Sequence, residues 1–169
     1  ASALQLRASG RADLCVGEDG GKMIEGFDFG NSPYAMSQTN LTGKTLALRT
    51  SNGTRGLLAA SGAEAIYTGA FATAEATVRR IKAQNPEVIT IVPMGAMERR
   101  ATEDEVCALY HRALLQDLSP DKTALKSLMT SLVPPPNPTL VASGDYHPMD
   151  RELALTLSLI HISEPTRLL

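Results

Sequence analysis

The sequence contains no tryptophan, and aromatic residues make up only 4% of it. A core must therefore be assembled from Leu, Ile, Val, Ala and Met, which suits close packing of helices on a sheet. There are only two cysteines, Cys15 and Cys107, far apart in the chain. Neither has a second cysteine at metal-ligand spacing, which argues against a zinc knuckle or a disulfide framework. No apolar secretory segment opens the chain, so a reducing cytoplasm is the simplest compartment. No apolar run approaches the roughly 20 residues of a membrane helix, and no membrane partner is expected. With a net charge of -2 and no Lys/Arg run, there is no electrostatic footprint for nucleic acid. Walker, dinucleotide-binding and Gly-x-Ser-x-Gly motifs are also absent.

What is present is an ordinary globular composition: 169 residues, 43% hydrophobic and 20% charged. Length and composition point to one domain. The start at Ala1, with no initiator Met and no opening strand, reads as an N-terminal truncation. Residues 158–169 break the preceding pattern and look like a translated sequencing adapter. The expected organisation is a single truncated domain over 1–157 followed by a non-native tail.

Alternation of short apolar runs with helical periodicity gives the fold class. Helices are predicted over 3–8, 54–60 (Leu57 and Leu58 inward), 73–83, 102–118, 121–132 and 151–157. The helix at 102 carries a Thr102/Glu105 capping box and an apolar stripe of Val106, Leu109, Tyr110, Ala113 and Leu114. Strands are predicted over 13–16 (stopped by Gly17), 45–50, 65–68 and 88–92. The last, Val88-Ile-Thr-Ile-Val92, reads as buried on both faces. Pro134-Pro-Pro-Asn-Pro138 reads as a stiff extended linker. The order implies an α/β fold, three-layered α/β/α, with a mostly parallel sheet.

Chemistry-bearing residues concentrate in two stretches. Gly26-Phe-Asp-Phe-Gly-Asn-Ser-Pro33 follows a glycine-rich run and combines a carboxylate, an amide and a hydroxyl. Asp28 offers oxygen to a hard cation, and Asn31 and Ser32 offer hydrogen bonds to anionic oxygens. The plainer alternative is a turn and helix cap, since Asn-Ser-Pro is good turn chemistry. Thr50-Ser-Asn-Gly-Thr-Arg55 lies between a predicted strand and a helix, where α/β ligands sit. Arg55 supplies a bidentate donor for phosphate or sulfonate, and the alternative is a plain Asn-Gly turn. Glu103-Asp104 can instead simply favour a helix start. Cys107 reads as core filler rather than nucleophile, His111 as a core-edge residue, and His147 has no visible partner.

Together these stretches resemble the 2-phosphosulfolactate phosphatase family. The resemblance rests on Gly17-Glu18 with Gly20-Gly21, on Gly26-Phe-Asp-Phe-Gly-Asn-Ser-Pro33, on Asn52-Gly-Thr-Arg55, on Gly69-Ala-Phe71 and on Glu103-Asp104-Glu-Val-Cys107. It covers about residues 13–155. The resemblance implies a cytoplasmic, magnesium-dependent phosphohydrolase that converts 2-phospho-3-sulfolactate to sulfolactate, as in coenzyme M biosynthesis. Its partner is a small anionic phosphorylated substrate, and a homo-oligomer is left open. Asp28 and Asp104 are the expected catalytic acids, with Asp28 and Glu18 toward Mg2+. Asn31, Ser32, Asn52, Gly53, Thr54 and Arg55 are the expected substrate contacts. A non-catalytic anion-binding module of the same fold is the alternative.

Overall fold

A computed structural model of the chain describes residues 2–95 and 99–156. The tail expected at 158–169 lies outside the described residues. The chain forms two compact units, one of Ala1–Leu58 with Pro135–Leu153, the other of Ala59–Pro134 with Ala154–Leu169.

The first unit opens with α1, Ala3–Ala8, as its sequence predicts. Ser2 caps it, its side chain accepting from Gln5 N while Gln5 accepts from Ser2 N, which satisfies two otherwise orphan donors. Strand β1, Leu14–Asp19, pairs in parallel with β3, Leu46–Arg49, in the register Leu14–Leu46 to Gly17–Arg49. On its other edge it pairs antiparallel with β2, Lys22–Met23. Gly20 and Gly21, with φ of +60° and +84°, make the two-residue turn that this hairpin needs. The described sheet is thus small and mixed, in the order β2-β1-β3. Val16 also bridges to Phe29, which draws the 26–33 stretch alongside β1.

β1 does not stop at Gly17 as its sequence predicts. Gly17 has φ +143°, and a Cβ there would lie 1.7 Å from Arg49 O. The glycine admits a close backbone approach inside the ladder instead of ending it. The core of this unit is Ala12, Cys15, Phe27 and Ala47, with Ala3, Leu6 and Ile24 packed against it. Short helices α2, Pro33–Ser37, and α3, Gly53–Ala59, follow the two chemistry-bearing stretches. Leu58 on α3 is 75% exposed rather than inward; Leu57 is half-buried, and no residue of this seven-residue helix is fully buried. The Pro134–Pro138 stretch is not extended to its end. Asn137 caps a helix, α7, Pro138–Ala142, with Pro138 in the first turn, where its missing N–H costs nothing. The last helix among the described residues, α8, is Met149–Ala154; it starts two residues before the expected 151, and the expected end at 157 lies outside the described residues.

The second unit is helical. α4, Ala74–Gln84, α5, Thr102–Leu115, and α6, Lys122–Leu132, bury Phe71, Ala74, Tyr110, Met129 and Leu155. α5 lacks the expected capping box: its N-cap is Ala101, without a side-chain hydrogen bond, and Glu105 pairs with Arg100 instead. Leu109 leaves the expected stripe and is 60% exposed. The helix also ends at Leu115 rather than Leu118, where Asp117 takes a φ of +60°.

The strands expected at 65–68 and 88–92 do not form. Val88 is 77% and Val92 63% exposed, the reverse of burial on both faces. β-Branched side chains favour a strand only when a neighbouring strand completes its ladder and covers its faces. Among the described residues this unit has no named strand to pair with.

Candidate functional site

The carboxyl end of the parallel β1/β3 pair is built around Glu18. Its backbone continues β1 past Gly17, and its side chain is buried. The carboxylate accepts from Ser51 N at 2.6 Å, from the Ser51 hydroxyl at 3.0 Å and from Gly21 N at 2.8 Å. Ser51 Oγ in turn accepts from Gly20 N. One buried acid thus ties the Gly20-Gly21 turn to the start of the 50–55 loop. Burial pushes its pKa up, but the Ser51 and Gly21 N–H groups, the Ser51 hydroxyl and the charge of Arg49 outweigh burial and lower it.

From Ser51 the chain turns into α3. Thr50 Oγ1 accepts from Thr54 N, the Thr54 hydroxyl donates to Thr50 O at 2.8 Å, and Asn52 O accepts from Arg55 N. Gly53 sits against Thr50, where a Cβ would lie 3.4 Å from Oγ1. Arg55 is exposed.

Asp28 meets β1 at a different point. Its Oδ2 accepts from Cys15 N at 2.8 Å and from Arg7 Nη1 at 2.7 Å, and Arg7 also donates to Gly26 O. The Cys15 N–H, together with Arg7 and against a partial desolvation, holds the Asp28 pKa below its ordinary value. Cys15 and Glu18 are three residues apart, about 10 Å along an extended strand. Asp28 and Glu18 are therefore anchored at separate places on β1. Among the described residues, no group of three or more His, Cys, Asp or Glu side chains is placed to hold a metal ion.

Asn31 is exposed, whereas Ser32 is buried. The Ser32 hydroxyl donates to Asp150 Oδ1 at 2.7 Å and accepts from Ala35 N at 3.1 Å, capping α2. The cap weighed for Asn-Ser-Pro is present, and Ser32 is occupied on both sides. Asp104 lies in the other unit, on α5, where Oδ2 accepts from Gly95 N at 2.7 Å. Cys107 is a poor nucleophile, because burial and the Asp104 charge push its thiol up to about 12. His111 is buried, with Nδ1 2.8 Å from Cys107 O.

Sequence reasoning missed Arg7, Asp150 and the pairing of Tyr34 with His147, whose rings stack at 3.7 Å. No local signal marks these partners, which lie tens of positions from the loops they hold.

A pH dependence follows from three depressed carboxylates of the first unit: Glu18, Asp28 and Asp145, the last lowered chiefly by the Met23 N–H and the Ser143 hydroxyl. Each binds its proton less readily folded than unfolded, so its contribution is present above the unfolded pKa. It is lost as pH falls through the lower folded value. The first unit should therefore lose stability on acidification below about pH 4. Urea midpoints measured between pH 7 and 2 should fall in that window, and less steeply for Glu18→Gln.

The family model described as 2-phosphosulpholactate phosphatase matches residues 1–140. Curated relatives named "Probable 2-phosphosulfolactate phosphatase" come from several bacteria. The one from Caldicellulosiruptor saccharolyticus is 40% identical over 112 residues, covering 64% of this chain and 46% of the relative. One from a Synechococcus species is 40% identical over 108 residues, covering 63% and 44%. One from Parasynechococcus marenigrum is 38% identical over 106 residues, covering 63% and 44%. The matched part of this chain spans less than half the length of these relatives. Among the described residues no helix is long and apolar enough to cross a membrane.

Proposed function

Because the chain belongs to the 2-phosphosulfolactate phosphatase family, we propose that it is part of a phosphoric monoester hydrolase acting on 2-phospho-3-sulfolactate. The products would be sulfolactate and phosphate, as a cytoplasmic step of coenzyme M biosynthesis requires. The observation that carries this reading is the Asn52–Arg55 stretch at the carboxyl end of the parallel β1/β3 pair, the end at which α/β proteins bind ligands. There Asn52, Gly53, Thr54 and Arg55 would hold the anionic groups, Arg55 as the charged donor. Asn31, exposed at the second stretch, would add an amide. Ser32 would reach substrate only by giving up Asp150 or Ala35.

The magnesium dependence belongs to the same proposal. Asp28 would hold the cation, with water and phosphate oxygens completing its shell, as Mg2+ favours few protein ligands. Glu18, held by its three donors about 10 Å along β1 from the Asp28 anchor, would fix the loops beside the cation rather than share its shell. Such a cation would supply neutralisation of charge on the phosphoryl oxygens. Asp104 would serve as a further acid in the complete protein, whose three-layer α/β/α arrangement and mostly parallel sheet are part of the proposal.

A second reading, a non-catalytic anion-binding module, draws on the coverage of under half of each relative. Activity separates the two. The complete protein should release phosphate from small 2-phospho acids and stop when magnesium is chelated. Undiminished turnover after chelation would remove the metal role.

For Arg55, the expected result of substitution by alanine is a tenfold to hundredfold loss of phosphate affinity, about 1.5–3 kcal/mol for a charge-assisted contact. Thermal stability should barely change, because the side chain is exposed. Titration calorimetry beside a thermal melt checks both. An unchanged affinity places the anion elsewhere.

A further inference from the structure

We propose that Asp150 is the positioning residue of the Asn31–Tyr34 segment, and that it acts on anion binding through Ser32 rather than by touching the ligand. This deepens the reading above and rests on it. Asp150 is 3% exposed, and its carboxylate receives donors from two places in the chain. Oδ1 accepts from the Ser32 hydroxyl at 2.7 Å and from Tyr34 N at 2.9 Å. Oδ2 accepts from His147 N at 2.7 Å. His147 is stacked on Tyr34 with an angle of 9° between the rings. Residues 145–150 thus form a strap across the loop, tied a second time by Asp145 Oδ1, which accepts from Met23 N. The strap lies beyond the residues that the family model matches.

The geometry gives Asp150 a task that a neutral side chain cannot perform. Three N–H or O–H donors converge on one carboxylate, which can accept from all of them without presenting a donor of its own. Asn31 immediately precedes Ser32, so the place of its exposed amide depends on how Ser32 and Tyr34 are held. Ser32, with its hydroxyl bound to Asp150 and Ala35, transmits the position instead of contacting the anion.

Asp150→Asn tests this with little change of shape. An asparagine can keep its oxygen toward Ser32 and Tyr34, but its amide then faces the His147 N–H, donor against donor. The strap is loosened while the side-chain volume stays. Inorganic phosphate is the probe, titrated against this chain by NMR. Amide exchange at Tyr34 and His147 and the thermal midpoint are measured in parallel. The proposal expects faster exchange at Tyr34 and about tenfold weaker phosphate binding, the consequence of one lost charge-assisted bond. Ser32→Ala should weaken binding to a similar degree, and the double variant should be no worse than either single one. Should Asp150→Asn fail to fold, Ser32→Ala carries the same test from the other side of the bond. Faster exchange at Tyr34 with phosphate affinity unchanged in either single variant overturns the positioning role. Additive losses in the double variant also overturn it, because Ser32 would then touch the anion directly. A parent chain that binds no phosphate overturns the functional reading itself, and with it this role.

Discussion

Gly17→Ala should cost the first unit more than about 4 kcal/mol, the range reserved for a direct backbone clash or a collapsed core. The Cβ would stand 1.7 Å from the Arg49 carbonyl oxygen and 2.7 Å from its carbon. Both are main-chain atoms of β3, so no side chain can rotate away. The φ of +143° adds strain for any residue with a Cβ. Relief requires β1 and β3 to part, which removes the parallel ladder and exposes Cys15 and Ala47. Gly43→Ala is the matched control: φ there is +73°, but nothing lies within 4 Å of the new atom. It should cost only the roughly 1–2 kcal/mol of a left-handed backbone. Urea unfolding followed by circular dichroism reads both. A Gly17→Ala chain as stable as the parent would show that Gly17 and Arg49 are not paired in this register.

Asp28→Asn carries the largest expected effect on chemistry. Turnover by the complete protein should fall by at least about a hundredfold, the lower range for losing an acid–base or charge-stabilising group. Read as a loop residue in the sequence, Asp28 promises little change in stability. The structure alters that expectation, because its carboxylate joins α1 to β1 through Arg7 and Cys15 N. An asparagine can keep both bonds but not their charge assistance, so a loss of about 1–2 kcal/mol is expected. Arg7→Ala separates the two effects, since it removes the ion pair and leaves the carboxylate in place. It should match Asp28→Asn in stability and far exceed it in remaining turnover. Equal turnover in Asp28→Asn and the parent would reduce Asp28 to a structural tie.

Elements legible in the sequence were those held by contacts within a turn or two. Helix α1 coincides with its expected bounds, and α6 begins one residue after Asp121, which caps it by accepting from Thr123 N and Ala124 N. β3 lies within the run expected at 45–50. Misreadings arose where a local pattern had two outcomes. Thr102 and Glu105 have capping-box spacing, but Glu105 is drawn to Arg100. The glycine at 17 can end a strand or let two strands approach, and only its neighbour Arg49 distinguishes these.

The sequence by itself determined the family, the two loops rich in polar groups, and the starts of α1, α3, α4, α5 and α6 to within one residue. These rest on short-range chemistry: caps, φ preferences and residue order. The tertiary structure alone decided which carboxylates hold which loops. Glu18 reaches Ser51 across 33 positions and Asp150 reaches Ser32 across 118. It also left Val88–Val92 without a strand partner among the described residues, although that run has the strongest β-pattern in the chain. The physical reason is common to both. A buried charge or an extended backbone is stable only when distant donors and acceptors converge on it, and no local pattern names the residues that will arrive.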